Sequence, residues 1–116
     1  MTKDEIREKK HHLINRANEI KSGSTVVQVM RLDDILKGYD RLMIKMDIEG
    51  AETVVLEGAK NIITNTAPDL AICVYHKDMD MWRIPLMLKE WVPEYKFYMR
   101  NHYLNAYETV LYTTAV

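Results

Sequence analysis

The sequence predicts an α/β fold with a mixed sheet, in which parallel strands are joined by crossover helices and an antiparallel hairpin ends the chain. Two apolar runs, residues 41–48 and 69–75, have the length and composition of strands covered on both faces. The segment between them repeats apolar residues at helical spacing, as a crossover helix does. Two alternating runs, 95–100 and 108–113, stand too close together for a helical crossover and therefore predict a hairpin.

The part of the chain before this sheet has a different pattern. A thin apolar stripe among charged residues predicts an amphipathic helix that occupies most of residues 1–24, which we treat as an N-terminal helical appendage to a domain over 25–116. The β-branched segment 25–30 predicts a short strand. Residues 32–38 predict one or two helical turns, because an aspartate stands at their start and a glycine at their end.

Two longer helices are expected within the sheet region. The first should run from Ala51 to Asn65 and end before Pro68. The second, over residues 79–91, contains Pro85, which removes a backbone donor and should kink the helix or divide it into two short pieces.

Length and charge exclude several classes of function. The 116 residues make one modest domain, and 16 basic against 17 acidic residues leave a net charge of −1, so no overall field attracts nucleic acid or anionic membrane. The single cysteine, Cys73, excludes a disulfide framework within one chain and favours a reducing compartment. No apolar run approaches the ~20 residues of a membrane span, so we expect a cytoplasmic protein without nucleic-acid or membrane partners.

Candidate functional residues follow the strands. Ligands bind beyond the carboxyl ends of parallel strands, and Asp47 and Glu49 follow the first, His76 and Lys77 the second, and His102 a later one. Carboxylates and imidazoles at neighbouring strand ends suit proton transfer.

Simpler and alternative interpretations of these residues stay open. The simpler interpretations are that Asp47 caps the next helix and that His76 is a solvated loop residue. Asp47, Glu49, His76 and His102 together would also suit a divalent metal, although their spacing carries no metal signature and we assign no metal site.

The order of residues around Asp47 resembles the signature of FkbM-type methyltransferases. Residues 45–52 read K-M-D-I-E-G-A-E and resemble the K-x-D-x-E-G-x-E motif of that family, and V-L-E-G-A at 55–59 resembles its L-x-G-A segment. Upstream, V-M-R-L-D-D-I-L at 29–36 is similar to V-x-x-L-D-D-I-L. The resemblance extends over roughly 25–116, where 71–77 and 108–112 are similar to later strands of the family.

The resemblance implies a Rossmann-like enzyme that transfers a methyl group from S-adenosylmethionine to a hydroxyl of a sugar or secondary metabolite. It places Asp47 beside the transferred methyl, as a catalytic and cofactor-binding residue, with Glu49 and Gly50 on the same cofactor loop. His76 is our hypothesis for the base that deprotonates the acceptor, with Lys77 and His102 as further substrate-binding residues.

The sequence departs from this family in one respect. Its four glycines, at positions 23, 38, 50 and 58, form no glycine-rich cofactor turn, so the chain matches only the C-terminal half of the fold. The expected function is therefore that of a truncated methyltransferase that need not be active alone, and the alternative is a non-catalytic fold remnant that acts as an interaction or assembly module. Without the first half, strand 41–47 becomes a sheet edge, which predicts a homo-oligomer or a partner chain that covers it.

Overall fold

The computed structural model describes residues 2–5, 25–103 and 108–116 of the chain, which divides into two compact units, 1–30 and 31–116. In the first unit, residues 3–5 are helical. Thr2 and Glu5 exchange hydrogen bonds between side chain and backbone, the capping box that starts a helix. The rest of the predicted helix lies outside the described residues.

The strand predicted over 25–30 is wrong. These residues have no regular secondary structure, and their side chains are exposed. A strand needs a hydrogen-bonded neighbour as well as suitable side chains, and β-branched residues alone set only a weak preference.

The second unit contains, among its described residues, four helices and four strands. Their order along the chain is α1 (Leu32–Ile35), β1 (Met43–Met46), α2 (Glu52–Glu57), α3 (Lys60–Thr66), β2 (Asp69–Cys73), α4 (Asp80–Trp91), β3 (Lys96–Asn101) and β4 (Thr109–Thr114). None of the described helices is both long enough and apolar enough to cross a bilayer.

The four strands form one mixed sheet in the order β1-β2-β4-β3. β1 pairs parallel to β2, with Met46 opposite Ile72, and β3 and β4 form the antiparallel hairpin expected from the sequence. The last strand also pairs antiparallel with β2, so it lies inside the sheet while β1 and β3 are its edges in the described part of the chain. The predicted α/β class, with its parallel pair and terminal hairpin, is confirmed.

The main core lies between the helices and one face of the sheet. Alternate strand side chains, including Met46, Ile72 and Leu111, pack there with Leu56, Ile63, Ile84 and Leu88 from the helices. On the other face Ala71, Cys73 and Val110 form a smaller cluster beside the half-buried Tyr75 and Tyr112. One face of the sheet therefore carries most of the buried apolar surface.

The helix predicted from Ala51 to Asn65 is interrupted, and α2 and α3 take its place. The Asp33 carboxylate accepts hydrogen bonds from the backbone N–H groups of Asn61 and Ile62, at 3.1 and 2.9 Å, and thereby satisfies the free donors of a helix start. The Asp33 N–H in turn donates to the carbonyl of Gly58, at 2.9 Å. A second helix start at this point is stabilised by a residue nearly thirty positions away, which local periodicity does not reveal.

The division into two short pieces expected at Pro85 is wrong, because α4 is one continuous helix from Asp80 to Trp91. Pro85 is the sixth of the 12 residues of α4, and its missing N–H deprives only the carbonyl of Met81 of a helical partner. The buried residues Ile84 and Leu88 pack the helix onto the sheet on either side of the proline.

Candidate active site

The acidic loop, residues 47–50, leaves the carboxyl end of β1 through an unusual backbone. Glu49 and Gly50 have φ angles of +56° and +96°, in the left-handed region that favours glycine. A Cβ at position 50 would lie 3.3 Å from Cε of Lys77 and 3.8 Å from Cβ of His76. Gly50 therefore lets the loop pass close to the segment that follows β2.

This close approach brings His76 into a ring of carboxylates. Its Nε2 lies 2.9 Å from Oδ1 of Asp47 and 3.7 Å from Oε1 of Glu52, and its Nδ1 lies 3.6 Å from Oε2 of Glu49. The side chain of His76 is only 10% exposed, whereas that of Asp47 is 47% exposed and that of Glu49 is 84% exposed. The cluster thus has a buried imidazole at its base and two carboxylates that reach solvent.

Glu52, in the first turn of α2, supports the loop from inside the protein. Its Oε1 accepts a hydrogen bond of 3.0 Å from the backbone N–H of Ile48. The side chain is fully buried, and the other oxygen, Oε2, has no hydrogen-bond partner. A buried carboxylate oxygen without a partner is costly and calls for an explanation.

The charge state of His76 depends on two opposing effects. Burial lowers the pKa of His76, but the hydrogen bond to Asp47 and the negative charges of Glu52, Glu49 and Asp47 outweigh it and raise the pKa above the ordinary value of 6.5. As a base, His76 would need to be neutral, with one ring nitrogen free. Nδ1 is the better choice, since 3.6 Å to the exposed Glu49 is longer than a hydrogen bond.

Two neighbours on the β2 side complete the surroundings of the cluster. The ring of Tyr75 lies 4.0 Å from that of His76, centroid to centroid. Burial, with a contribution from Asp47, raises the pKa of the Cys73 thiol to about 11. At neutral pH the thiol is therefore protonated, which makes it a poor nucleophile.

The remaining predicted site residues lie around the cluster. Lys77 is exposed and passes beside Gly50. His102 does not join the ring of carboxylates, and its Nε2 lies 2.8 Å from the hydroxyl of Tyr112. Asp47 and His102 nevertheless line the same hollow of about 400 Å³, formed by side chains from β1, β2 and β4.

The sequence placed Asp47, Glu49 and His76 at adjacent strand ends but indicated no role for Glu52. Its position four residues after Ile48, directly after a glycine turn, was the available signal, because a carboxylate there can reach back to the loop N–H. In the described part of the chain, Asp47, Glu49 and His76 are also a group with ligand atoms within 4.8 Å of one another.

Comparison with known proteins gives two matches. The sequence profile of the methyltransferase FkbM domain matches residues 3–103. The crystal structure of methyltransferase FkbM from Methylobacillus flagellatus KT is similar over 69% of this chain, with 34% sequence identity and a TM-score of 0.63. That similarity spans only 21% of the other chain, about a fifth of its length. No curated protein matches the sequence.

Proposed function

The chain belongs to the FkbM methyltransferase family, and we propose that it supplies the acceptor side of an S-adenosylmethionine-dependent methyltransferase site. The observation that carries the proposal is the contact of 2.9 Å between Asp47 and His76, at the carboxyl ends of two adjacent parallel strands. In α/β folds this edge is where ligands bind.

The chemistry that we propose for these residues is removal of a proton from an acceptor hydroxyl. Asp47 accepts the hydrogen bond from Nε2–H of neutral His76 and so leaves the Nδ1 lone pair for the acceptor. The acceptor takes the place of the exposed Glu49 carboxylate beside Nδ1. Positioning the hydroxyl and accepting its proton are the contributions that a methyl transfer requires from the protein on this side. From the family resemblance, the acceptor is a hydroxyl of a sugar or secondary metabolite.

The described residues fit only part of the implied cofactor. The carboxylates of Asp47, Glu49 and Glu52 complement a cationic sulfonium group. Of the described glycines, only Gly50 stands in a turn that leads from a strand into a helix, and no glycine-rich turn accompanies it. We therefore propose that this chain by itself is inactive or weakly active, and that the adenosine end is held by residues outside those described.

A partner at β1 is part of the proposal. β1 is an edge of the described sheet, and its Met43 side chain is 71% exposed. An edge with free backbone groups favours pairing with a second copy or with a chain that supplies the other half of the fold. Light scattering at ~0.1 mM tests this: we expect a dimer or larger species for the natural sequence and weaker association for Met43→Lys, whereas monomers at that concentration would contradict self-association.

Thermal unfolding with added cofactor separates this function from its rival, a non-catalytic interaction module. A genuine site raises the free energy of unfolding by ~2.7 kcal/mol at a hundredfold excess over its dissociation constant. In the presence of a second chain that supplies the other half, replacing His76 by Gln should leave that shift nearly unchanged and reduce turnover about a hundredfold, in line with the loss of a general base. No shift at millimolar cofactor, with or without a second chain that supplies the other half, would favour the interaction module.

A further inference from the structure

We propose that Asp47, Glu49 and His76, with the buried Glu52 beside them, bind one divalent cation of the Mn²⁺ class. These groups offer imidazole nitrogen and carboxylate oxygen, the ligands that such cations share. They come from three places in the chain, the end of β1, the start of α2 and the end of β2.

The distances suit a shared ion. A cation bound at ~2.1 Å holds its ligand atoms roughly 3–4 Å apart. His76 Nε2 lies 2.9 Å from Asp47 Oδ1 and 3.7 Å from Glu52 Oε1, so each carboxylate oxygen has that separation from the imidazole nitrogen. The Glu49 carboxylate has an atom within 4.8 Å of ligand atoms of both Asp47 and His76, and its exposed side chain can approach from the solvent side.

The independent observation is the burial of Glu52 with one carboxylate oxygen unpaired. This side chain is fully buried, points into the cluster through Oε1, and keeps Oε2 without a hydrogen-bond partner. Burying a carboxylate costs several kcal/mol unless a positive group or donors compensate it. A cation at the cluster would supply that compensation.

The local charge balance points the same way. Three carboxylates surround one imidazole, which neutralises at most one of them. Lys77 passes beside the acidic loop, yet none of the ion pairs in the described part of the chain joins it to these carboxylates. The cluster therefore has an excess of negative charge, most of which one dication would neutralise.

This site does not depend on methyl transfer. A cation would replace the proton that His76 Nε2 and Asp47 share, so the bound cation and the neutral His76 base are alternative states of one cluster. Measuring metal binding alone, without cofactor or acceptor, keeps the failure of this proposal separate from the failure of the proposed function.

The experiment is a titration of the whole 116-residue chain with Mn²⁺, followed by calorimetry and by paramagnetic broadening of histidine NMR signals. We expect one equivalent to bind with a dissociation constant below about 1 mM, to broaden the His76 ring signals and to raise the melting temperature. Glu52→Gln and Asp47→Asn should each weaken binding about tenfold or more. Glu57→Gln, the same change at an exposed position of the same helix, should leave the dissociation constant within about twofold.

Asp47 is exposed, so Asp47→Asn keeps the test valid if Glu52→Gln fails to fold. The proposal is overturned if no Mn²⁺ binds up to about 1 mM, if Asp47→Asn leaves the affinity unchanged, or if the broadened signals lie away from His76.

Discussion

His76 Nε2 and Asp47 Oδ1 lie 2.9 Å apart, and this contact joins the residues that follow the carboxyl ends of β1 and β2. The two residues are 29 positions apart in the sequence. Parallel pairing of β1 with β2 and the close passage of the loop at Gly50 bring them together.

Asp47→Asn should lower the pKa of His76 toward its ordinary value, because it removes a negative charge and a charged hydrogen-bond acceptor. NMR titration of the ring signals in the presence of a chelator measures the change directly. Since the pKa of His76 in the folded protein is raised above 6.5, its contribution to stability is present below pH 6.5 and disappears as the pH rises through the raised value. This pH dependence should shrink in the variant, and an unchanged pKa would show that Asp47 is not its main partner.

Gly50→Ala should cost about 1 kcal/mol of stability and should also disturb His76, because the new methyl group meets the Lys77 side chain. Gly38→Ala is the matched control, since Gly38 also has a positive φ, +85°, but faces open space. Urea unfolding should give similar losses for both variants. Only Gly50→Ala should shift the His76 NMR signals, and equal shifts in both would refute the close approach.

Asp33→Ala should destabilise the protein by about 2 kcal/mol, because it leaves the backbone N–H groups of Asn61 and Ile62 without their carboxylate. The neighbouring Asp34, an exposed residue paired with Arg31, provides the control Asp34→Ala, which should cost less than about 0.5 kcal/mol. The free energies of unfolding from urea denaturation decide the comparison. Equal losses would mean that the cap on α3 contributes little.

Tyr95→Phe should reduce stability by about 1 kcal/mol at neutral pH, because the Tyr95 hydroxyl donates to the buried carbonyl of Pro68. Burial raises the pKa of Tyr95 from 10.0 to about 12. The unfolded chain therefore loses this proton at lower pH than the folded protein, so stability should fall between pH 10 and about 12.

The fall should be smaller in Tyr95→Phe than in the natural sequence, as measured by urea unfolding at several pH values. Tyr98→Phe, at an exposed position of β3, is the control and should keep the natural dependence. If all three proteins lose stability equally at high pH, Tyr95 is not the group responsible.

Several elements followed from local sequence alone. The apolar runs predicted β1 and β2, and the alternating runs predicted β3 and β4. The short connection between β3 and β4 predicted their hairpin. These features can be predicted locally because burial imposes a pattern on consecutive residues. The motif around Asp47 likewise indicated the family to which the chain belongs.

The errors have a common origin in contacts that are distant in sequence. Residues 25–30 had strand-forming side chains but form no strand. The long helix after the acidic loop is interrupted where Asp33 provides a second helix start. Pro85 did not break α4, because packing of Ile84 and Leu88 on the sheet outweighs one missing backbone hydrogen bond.

The sequence by itself determined the fold class, the family and the residues Asp47, Glu49 and His76 as site candidates. Only the tertiary structure decided that these three side chains meet, that His102 lies apart from them beside Tyr112, and that Glu52 is buried beneath them with an unpaired oxygen. The physical reason is that residue type and spacing set which groups follow a strand, whereas strand pairing and backbone approach at Gly50 set the distances between groups. The charge state of His76 and the metal affinity of the cluster depend on those distances.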